Sequence, residues 1–420
     1  MNALTISPDD LLRVCRDLAW SEIAAMPGLA GRLGPRVSPT NDVDWSATGL
    51  ALDSLARIQL ATAAATWCNA YDAGFEDLFL AKRSAADWAA VMLRARASGA
   101  ANFTFATSGS TGARKQIRHR EDVLSNEAHA WAEVLRSVNT SADESASAPL
   151  ANVSRVMVLA PTHHIYGFIW GVLLPLALGV PAIDADFADL PDLLPGDLLI
   201  AVPDQWAWLA KSAVKAAKAW PEGVQGISST APLADDVHRQ LIDKRAGNSP
   251  APLARLLQIY GSSETAGLAW RRDPIRPYTL APGRTRTAQD GIELLLPSGA
   301  VAAMPVQDDL LWVSDSEFQL LRRVDNSIQV GGHNVSPDWV AQQLMTQSAV
   351  KAAAVRLDTL LTPPRLKAFV VLHPPGGAGE KKALEEWAFS ALPHYASLAS
   401  LTYGDALPQN AIGKLSDWPN

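Results

Sequence analysis

After residue 100, short apolar runs rich in β-formers recur between helix-like segments: "NFTFAT", "RVMVLAPT", "DLLIAVP", "GVQGISST" and "LLQIYGS". Runs of this kind, apolar along their length and separated by helices, are what a largely parallel sheet requires, because helices then cover both of its faces. The expected class is therefore α/β. The chain begins differently. Residues 7–25 open on a Ser-Pro-Asp-Asp capping signal and carry helix-spaced apolar residues. A Pro/Gly-rich loop follows to residue 45, and then "LDSLARIQLATAAATWCNAY" reads as a second helix with Asp53 or Ser54 at its start. "RSAADWAAVMLRARA" reads as another, with Ser84 as its cap. The chain thus divides into a helical segment 1–98, an α/β core 99–324 and an α+β unit 325–420. The last holds "SIQVGG", "PDWVAQQLMTQ", "KAAAVRL", "LKAFVVLH" and "KKALEEWAFSAL". The Ser/Ala-rich residues 137–152 read as a surface loop, and there is no internal repeat.

The 420 residues suffice for two or three domains. A net charge of −7 argues against a mainly nucleic-acid role, which needs a basic face. Only Cys15 and Cys68 are present, both in helix-like segments, so a disulfide framework is not expected. The N-terminus lacks a basic stretch followed by an apolar run, and the expectation is a cytoplasmic protein. Residues 165–183 are uncharged, but Pro175, Pro181 and several glycines interrupt them and no basic flank orients them. They read as a buried helix followed by a buried strand, with no membrane span.

Residues 107–116, "TSGSTGARKQ", place hydroxyls and glycines beside a basic pair. Backbone N–H groups of such a loop can turn toward an anion. Gly109 and Gly112 are too close for the Walker spacing, and no hydroxyl follows Lys115. Taken alone, the loop reads equally well as a surface turn or a phosphate cradle.

The loop resembles the signature of the adenylate-forming superfamily of acyl-CoA synthetases, aryl-acid ligases and peptide-synthetase adenylation domains, with Arg114 where that family has proline. Further segments resemble the family's landmarks in order: "PTHHIYGFIWGVLLPLALG", "GISSTAPL", "IYGSSETAG", "WVSD", "RRVDNSIQVGGHNVSP" and "LPQNAIGKL". The resemblance implies an adenylate-forming ligase fold, with a shortened large domain and a small mobile C-terminal domain. It also implies ATP and Mg²⁺ as cofactors. By the same match, Thr107, Ser108, Gly109, Ser110, Thr111, Gly112 and Lys115 would hold the β- and γ-phosphates. Tyr260 and Gly261 would carry the adenine, Ser263 the α-phosphate, and Glu264 the magnesium. Asp315 and Arg323 would bind ribose, and His164 would line the acid pocket. Asp325 would be the hinge, Gly331 and Gly332 the thiol path, and Lys414 the catalytic lysine.

That family usually has a sizeable α/β region before the phosphate loop, whereas here the preceding residues read as helical. "TGLALDSLARIQL" resembles the phosphopantetheine site of acyl carrier proteins, which would make Ser54 an attachment point for 4'-phosphopantetheine. The same Asp-Ser pair is also a good helix N-cap. The hinge segment has no basic residue at Gly331 or Asn334, which favours a carrier-borne thiol over free CoA. The compact, Trp-rich chain resembles the hydroxybenzoate–acyl carrier protein ligases of xanthomonadin and aryl-polyene pigment pathways. The resulting expectation is an ATP-dependent acid–thiol ligase that loads an aryl acid onto a partner acyl carrier protein. An aryl- or acyl-CoA ligase and a non-catalytic nucleotide-binding scaffold are the alternatives.

Overall fold

The computed structural model describes residues 4–26, 36, 44–45, 50–108, 114–140, 152–186, 190–216, 220–243, 251–323, 328–330, 333–361, 363–374, 376–408 and 415–418. Helices come first: α1 (Pro8–Ala24), α2 (Ser54–Trp67), α3 (Glu76–Ala81) and α4 (Ala85–Ala97). The capping signal of α1 works as its sequence implies. Ser7 Oγ accepts the Asp10 N–H at 3.2 Å, and the Asp10 carboxylate accepts the Ser7 N–H at 3.0 Å. Asp53, not Ser54, caps α2, its carboxylate accepting the Ala56 N–H at 2.8 Å. Ser54 is the first helical residue and is exposed. Ser84 caps α4 through the Asp87 N–H at 3.2 Å.

Strands β1 (Asn102–Ser108) and β2 (Arg114–Arg120) pair with each other, and α5 (Glu121–Thr140) follows. Next come β3 (Arg155–Val158), a continuous helical run of α6 (Ile165–Phe168), a π-turn over Ile169–Leu173 and α7 (Leu174–Leu178), and then β4 (Ala182–Asp184). The uncharged stretch thus forms the expected buried helix, but the strand that follows it, β4, lies at the edge of the main sheet and is half-buried rather than buried, because only one neighbouring strand covers it. Among the described residues, no helix is long and apolar enough to cross a membrane. The chain continues through β5 (Asp197–Ala201), α8 (Pro203–Ala216), β6 (Gln225–Ser228), α9 (Asp235–Ile242), β7 (Arg255–Ser262), β8 (Ala266–Arg271) and β9 (Tyr278–Leu280). A small antiparallel sheet of β10 (Arg284–Arg286), β11 (Ile292–Leu295) and β12 (Val301–Met304) precedes β13 (Asp308–Trp312) and β14 (Glu317–Arg323).

The main sheet runs β13-β14-β9-β8-β7-β6-β5-β3-β4. From β4 to β7 it is parallel, and β8 and β9 continue it antiparallel. Its two faces explain the unbroken apolar runs. Val156, Val158, Leu198, Ile200, Ile227 and Leu257 point into one core, and Met157, Leu159, Leu199, Ala201 and Leu256 into the other. The first of these cores also contains Leu11, Val14 and Leu18 of α1, Leu60 and Trp67 of α2, and Trp88 and Met92 of α4. The N-terminal helices therefore share one hydrophobic core with the sheet.

The chain forms two compact units. The first comprises Met1–Ala106, Gln116–Val306 and Trp312–Gln319; the second comprises Thr107–Lys115, Gln307–Leu311 and Leu320–Asn420. In the second, β15 (Ile328–Val330) pairs with β16 (His333–Val335), and α10 (Pro337–Met345) is capped by Ser336. The strands β17 (Val350–Asp358), β18 (Arg365–Leu372) and β19 (Leu398–Tyr403) form a sheet, with α11 (Ala378–Ala391) between β18 and β19 in sequence. Val340, Leu344, Leu366, Val370, Leu384 and Ala388 build this unit's own core.

Candidate active site

The parallel strands β3, β5, β6 and β7 end on one edge of the sheet, where open α/β sheets bind ligands. The segment after β3 carries His163 and His164. Ser229 and Thr230 follow β6, and Tyr260 to Glu264 span the end of β7 and the turn to β8. Three strand spacings, about 14 Å, separate β3 from β7.

The turn after β7 is held at several points. Ser262 N–H donates to Thr265 Oγ1 at 3.0 Å, and Thr265 N–H donates to Ser262 Oγ at 3.2 Å. His119 Nε2, on β2, lies 2.6 Å from the Ser263 carbonyl. A carbonyl only accepts, so this nitrogen carries the proton. Glu127 of α5 is 3% exposed, and its Oε1 accepts the Gly267 N–H at 2.8 Å and the Trp131 Nε1–H at 3.0 Å. Arg284 balances that carboxylate at 2.8 Å. A Cβ on Gly261 would come within 2.0 Å of the Ala266 carbonyl, so the hairpin crosses itself only because a glycine stands there. The result is a rigid turn presenting partly exposed Ser263 and Glu264. Partly exposed Tyr260 rests on Tyr278 and Phe318, with centroids 5.7 Å away in each case, leaving an aromatic surface on which a base can stack.

His164 caps α6 in extended conformation and is exposed, while His163 is buried and its ring lies 4.0 Å from that of His164. The helix behind them is fixed by Tyr166, whose hydroxyl lies 3.0 Å from the Ala201 carbonyl and 2.9 Å from the Ile227 carbonyl. Burial holds its phenol well above the usual pKa, so it stays neutral as a donor. Thr230 has φ +79°, unusual for a β-branched residue and the kind of strain that gathers at ligand sites. Asp315 is fully exposed on the turn between β13 and β14, 3.7 Å from Arg286.

The second unit carries exposed Lys115 and partly exposed Thr107. Gly109, Ser110, Thr111, Gly112, Asp325, Gly331, Gly332 and Lys414 lie outside the described residues, as do the side chains of Ser108 and Arg323. The chain beyond the lysine is well anchored. Arg356 donates to the Leu415 carbonyl at 2.6 Å, Lys367 donates to the Trp418 carbonyl at 2.5 Å, and Ser416 N–H donates to the Pro408 carbonyl at 2.9 Å. Among the described residues, no cluster of three or more His, Cys, Asp or Glu could hold a metal.

Sequence reasoning missed His119 and Glu127. Glu127 did leave a signal, since it is an acid on the buried face of a helix that also carries Leu124, Ala128, Trp131 and Leu135. His119 left none, because its partner is a backbone carbonyl far along the chain.

The sequence profile of the AMP-binding enzymes matches residues 51–292, a span that begins just before α2 and so includes α2, α3 and α4 but not α1. The chain is 34% identical over 415 residues to a 4-coumarate–CoA ligase of Halorhodospira halophila, covering 98% of this chain and 99% of that one. It is likewise 34% identical over 393 residues to a 4-coumarate–CoA ligase of Rhodobacter capsulatus, covering 91% and 94%. Among solved structures, a malonyl-CoA ligase in a ternary product complex with methylmalonyl-CoA and AMP matches with a TM-score of 0.54 at 19% identity. That match covers 73% of this chain and 71% of the other. The amide bond synthetase McbA of Marinactinospora thermotolerans matches with a TM-score of 0.54 at 17% identity, covering 74% and 67%. At such identities the structural matches speak for the shared fold.

Proposed function

The chain belongs to the AMP-binding enzyme family and is an AMP-forming acid–thiol ligase, and we propose that its acid is an aryl acid of the hydroxycinnamate type and its thiol that of coenzyme A. The observation that carries this reading is the end-to-end likeness to ligases named for 4-coumarate and CoA, 34% identity over 98% of the chain. It moves the acceptor from the acyl carrier protein suggested by the hinge segment to free CoA, and the acid from a hydroxybenzoate to a hydroxycinnamate.

A carboxylate is a poor acyl donor because oxide is a poor leaving group. In the proposed reaction a carboxylate oxygen attacks the α-phosphorus of ATP, the bond to pyrophosphate breaks, and an acyl-adenylate forms. The thiol sulfur then attacks the acyl carbonyl, loses its proton, and AMP departs. Catalysis of such transfers is mainly positioning and charge stabilisation. Tyr260 stacks on adenine, Ser263 bonds the α-phosphate, Asp315 and Arg323 take the ribose, and residues 107–112 with Lys115 hold the outer phosphates. His164 lines the acid site, and Lys414 bridges carboxylate and α-phosphate. The rigid turn gives Glu264 a fixed place. One carboxylate beside phosphate oxygens suits Mg²⁺, which screens the triphosphate charge when bound. Asp325 serves as the hinge between the two steps, and Gly331 and Gly332 line the thiol path.

The helical segment is taken as part of the ligase, since α1, α2 and α4 share the sheet's core. The Asp-Ser-Leu signal then marks a capped helix start, and Ser54 is not expected to carry 4'-phosphopantetheine. The test is pyrophosphate release across hydroxycinnamates, hydroxybenzoates and fatty acids, followed by free CoA or holo-carrier protein as acceptor. Intact-mass measurement after co-expression with a phosphopantetheinyl transferase completes it. 4-Coumarate with CoA should give the highest turnover on an unmodified chain. Preference for hydroxybenzoate and a carrier, or a pantetheine mass on Ser54, would reverse the proposal.

A further inference from the structure

The turn that presents His164 is held from outside the sheet, by the N-terminal helices. Asp17 of α1 is 4% exposed, and its Oδ2 accepts both the backbone N–H of Thr162 at 2.6 Å and the Thr162 hydroxyl at 2.8 Å. Its Oδ1 pairs with Arg36 at 2.8 Å, and the same guanidinium donates to the carbonyls of Leu159 at 3.0 Å and Ala185 at 3.1 Å. One cation and one carboxylate thus tie the ends of β3 and β4 to α1. From α2, Trp67 Nε1–H donates to the His163 carbonyl at 2.9 Å. The Trp67 ring is itself locked among Phe103, Phe105 and Phe168. The turn has no slack on its remaining side, because a Cβ on Gly167 would lie 2.0 Å from the Pro161 carbonyl. The base of the clamp is fixed as well. Arg13 and Arg16 of α1 both pair with Asp184 on β4, at 2.5 and 2.7 Å.

We infer that Asp17 and Trp67 are positioning residues for acid binding, setting the direction of His164 through the two residues before it. Most of what α1 and α2 give the core is apolar and non-directional. These bonds are directional and land on consecutive residues of the turn, whose third residue is exposed on the ligand edge of the sheet. Bonds to an ionised acceptor are the stronger kind, and a buried Trp N–H must find a partner. Small misplacements of a binding group weaken what it holds, which is why such groups are braced from behind. The inference rests on the proposed role of the turn in the acid site. It gives the helical segment a part in the ligase where a carrier resemblance gave it none.

The test uses the full chain with Thr162→Val and Thr162→Ser, both close to the native shape, and with Trp67→Phe, which removes the N–H together with part of a buried ring. Two readouts are taken: amide hydrogen exchange over residues 159–168, and the KM values for 4-coumarate and for ATP in pyrophosphate release. Thr162→Val and Trp67→Phe should speed exchange and raise the KM for the acid about three- to tenfold, the size of one lost hydrogen bond. The KM for ATP should stay within about twofold, below the effect of losing one such bond. Thr162→Ser should behave as wild type. Unchanged exchange would overturn the clamp. Faster exchange with an unchanged acid KM, or with kcat alone reduced, would overturn its role in acid binding. If wild type released no pyrophosphate with any acid, the functional proposal would fail on its own, and exchange would still decide the clamp.

Discussion

Glu127 lies on the same face of α5 as Leu124, Trp131 and Leu135, and helical spacing alone turns it inward. A buried carboxylate needs a cation and donors, and it finds Arg284, the Gly267 N–H and the Trp131 Nε1–H. The carboxylate makes two kinds of contact, to the Arg284 charge and to the backbone N–H of Gly267, and the two can be separated. Glu127→Gln strands the Arg284 charge and should lose about 3–5 kcal/mol of stability, read from denaturant midpoints. Replacing both partners, Glu127→Met with Arg284→Met, should recover much of that loss. The double variant still leaves the Gly267 N–H without its acceptor, so its KM for ATP should remain raised by about tenfold. Recovery of both stability and ATP affinity would show that the pair only supports the fold. At this scale the sequence was partly legible. Tyr260, Ser263 and Glu264 are proposed from their motif, while Glu127 showed only as an acid in an apolar stripe and His119 not at all.

Among the elements, the starts of α1, α2 and α4 follow from capping residues that act within four positions. Their packing partners do not follow from local signals. α1 buries Leu11, Val14, Leu18 and Ile23 and also fastens β4 through Arg13 and Arg16. Four buried aliphatic side chains at about 1.5–3 kcal/mol each come to roughly 6–12 kcal/mol, comparable with the whole stability of a domain. Deleting residues 1–25 should therefore yield an insoluble or non-cooperatively unfolding chain. Residues 1–98 expressed alone should lack a cooperative transition by circular dichroism, since their core is completed by β1, α5 and β3. A well-folded 1–98 fragment would restore an independent carrier-like domain.

For the whole molecule, the chain forms a large α/β unit and a small α+β unit with its own helices, strands and apolar core, and the second also takes in Thr107–Lys115 and Gln307–Leu311, which no local pattern marks. The proposed catalytic lysine belongs to that second unit. Lys414→Ala should lower adenylate formation on the order of 10²–10³-fold, leave ATP binding largely intact and leave the melting of the chain unchanged. Near-normal pyrophosphate release by this variant would remove Lys414 from the mechanism. The sequence by itself determined what is written in local periodicity and short motifs: helices, strands, caps, the parallel-sheet class and the order of the adenylation landmarks. Only the tertiary structure decided what braces the site. The bonds from Asp17 to Thr162, Trp67 to His163 and Glu127 to Gly267 span 145, 96 and 140 residues. No local signal spans such separations, because those groups meet only after the hydrophobic core has brought their elements together.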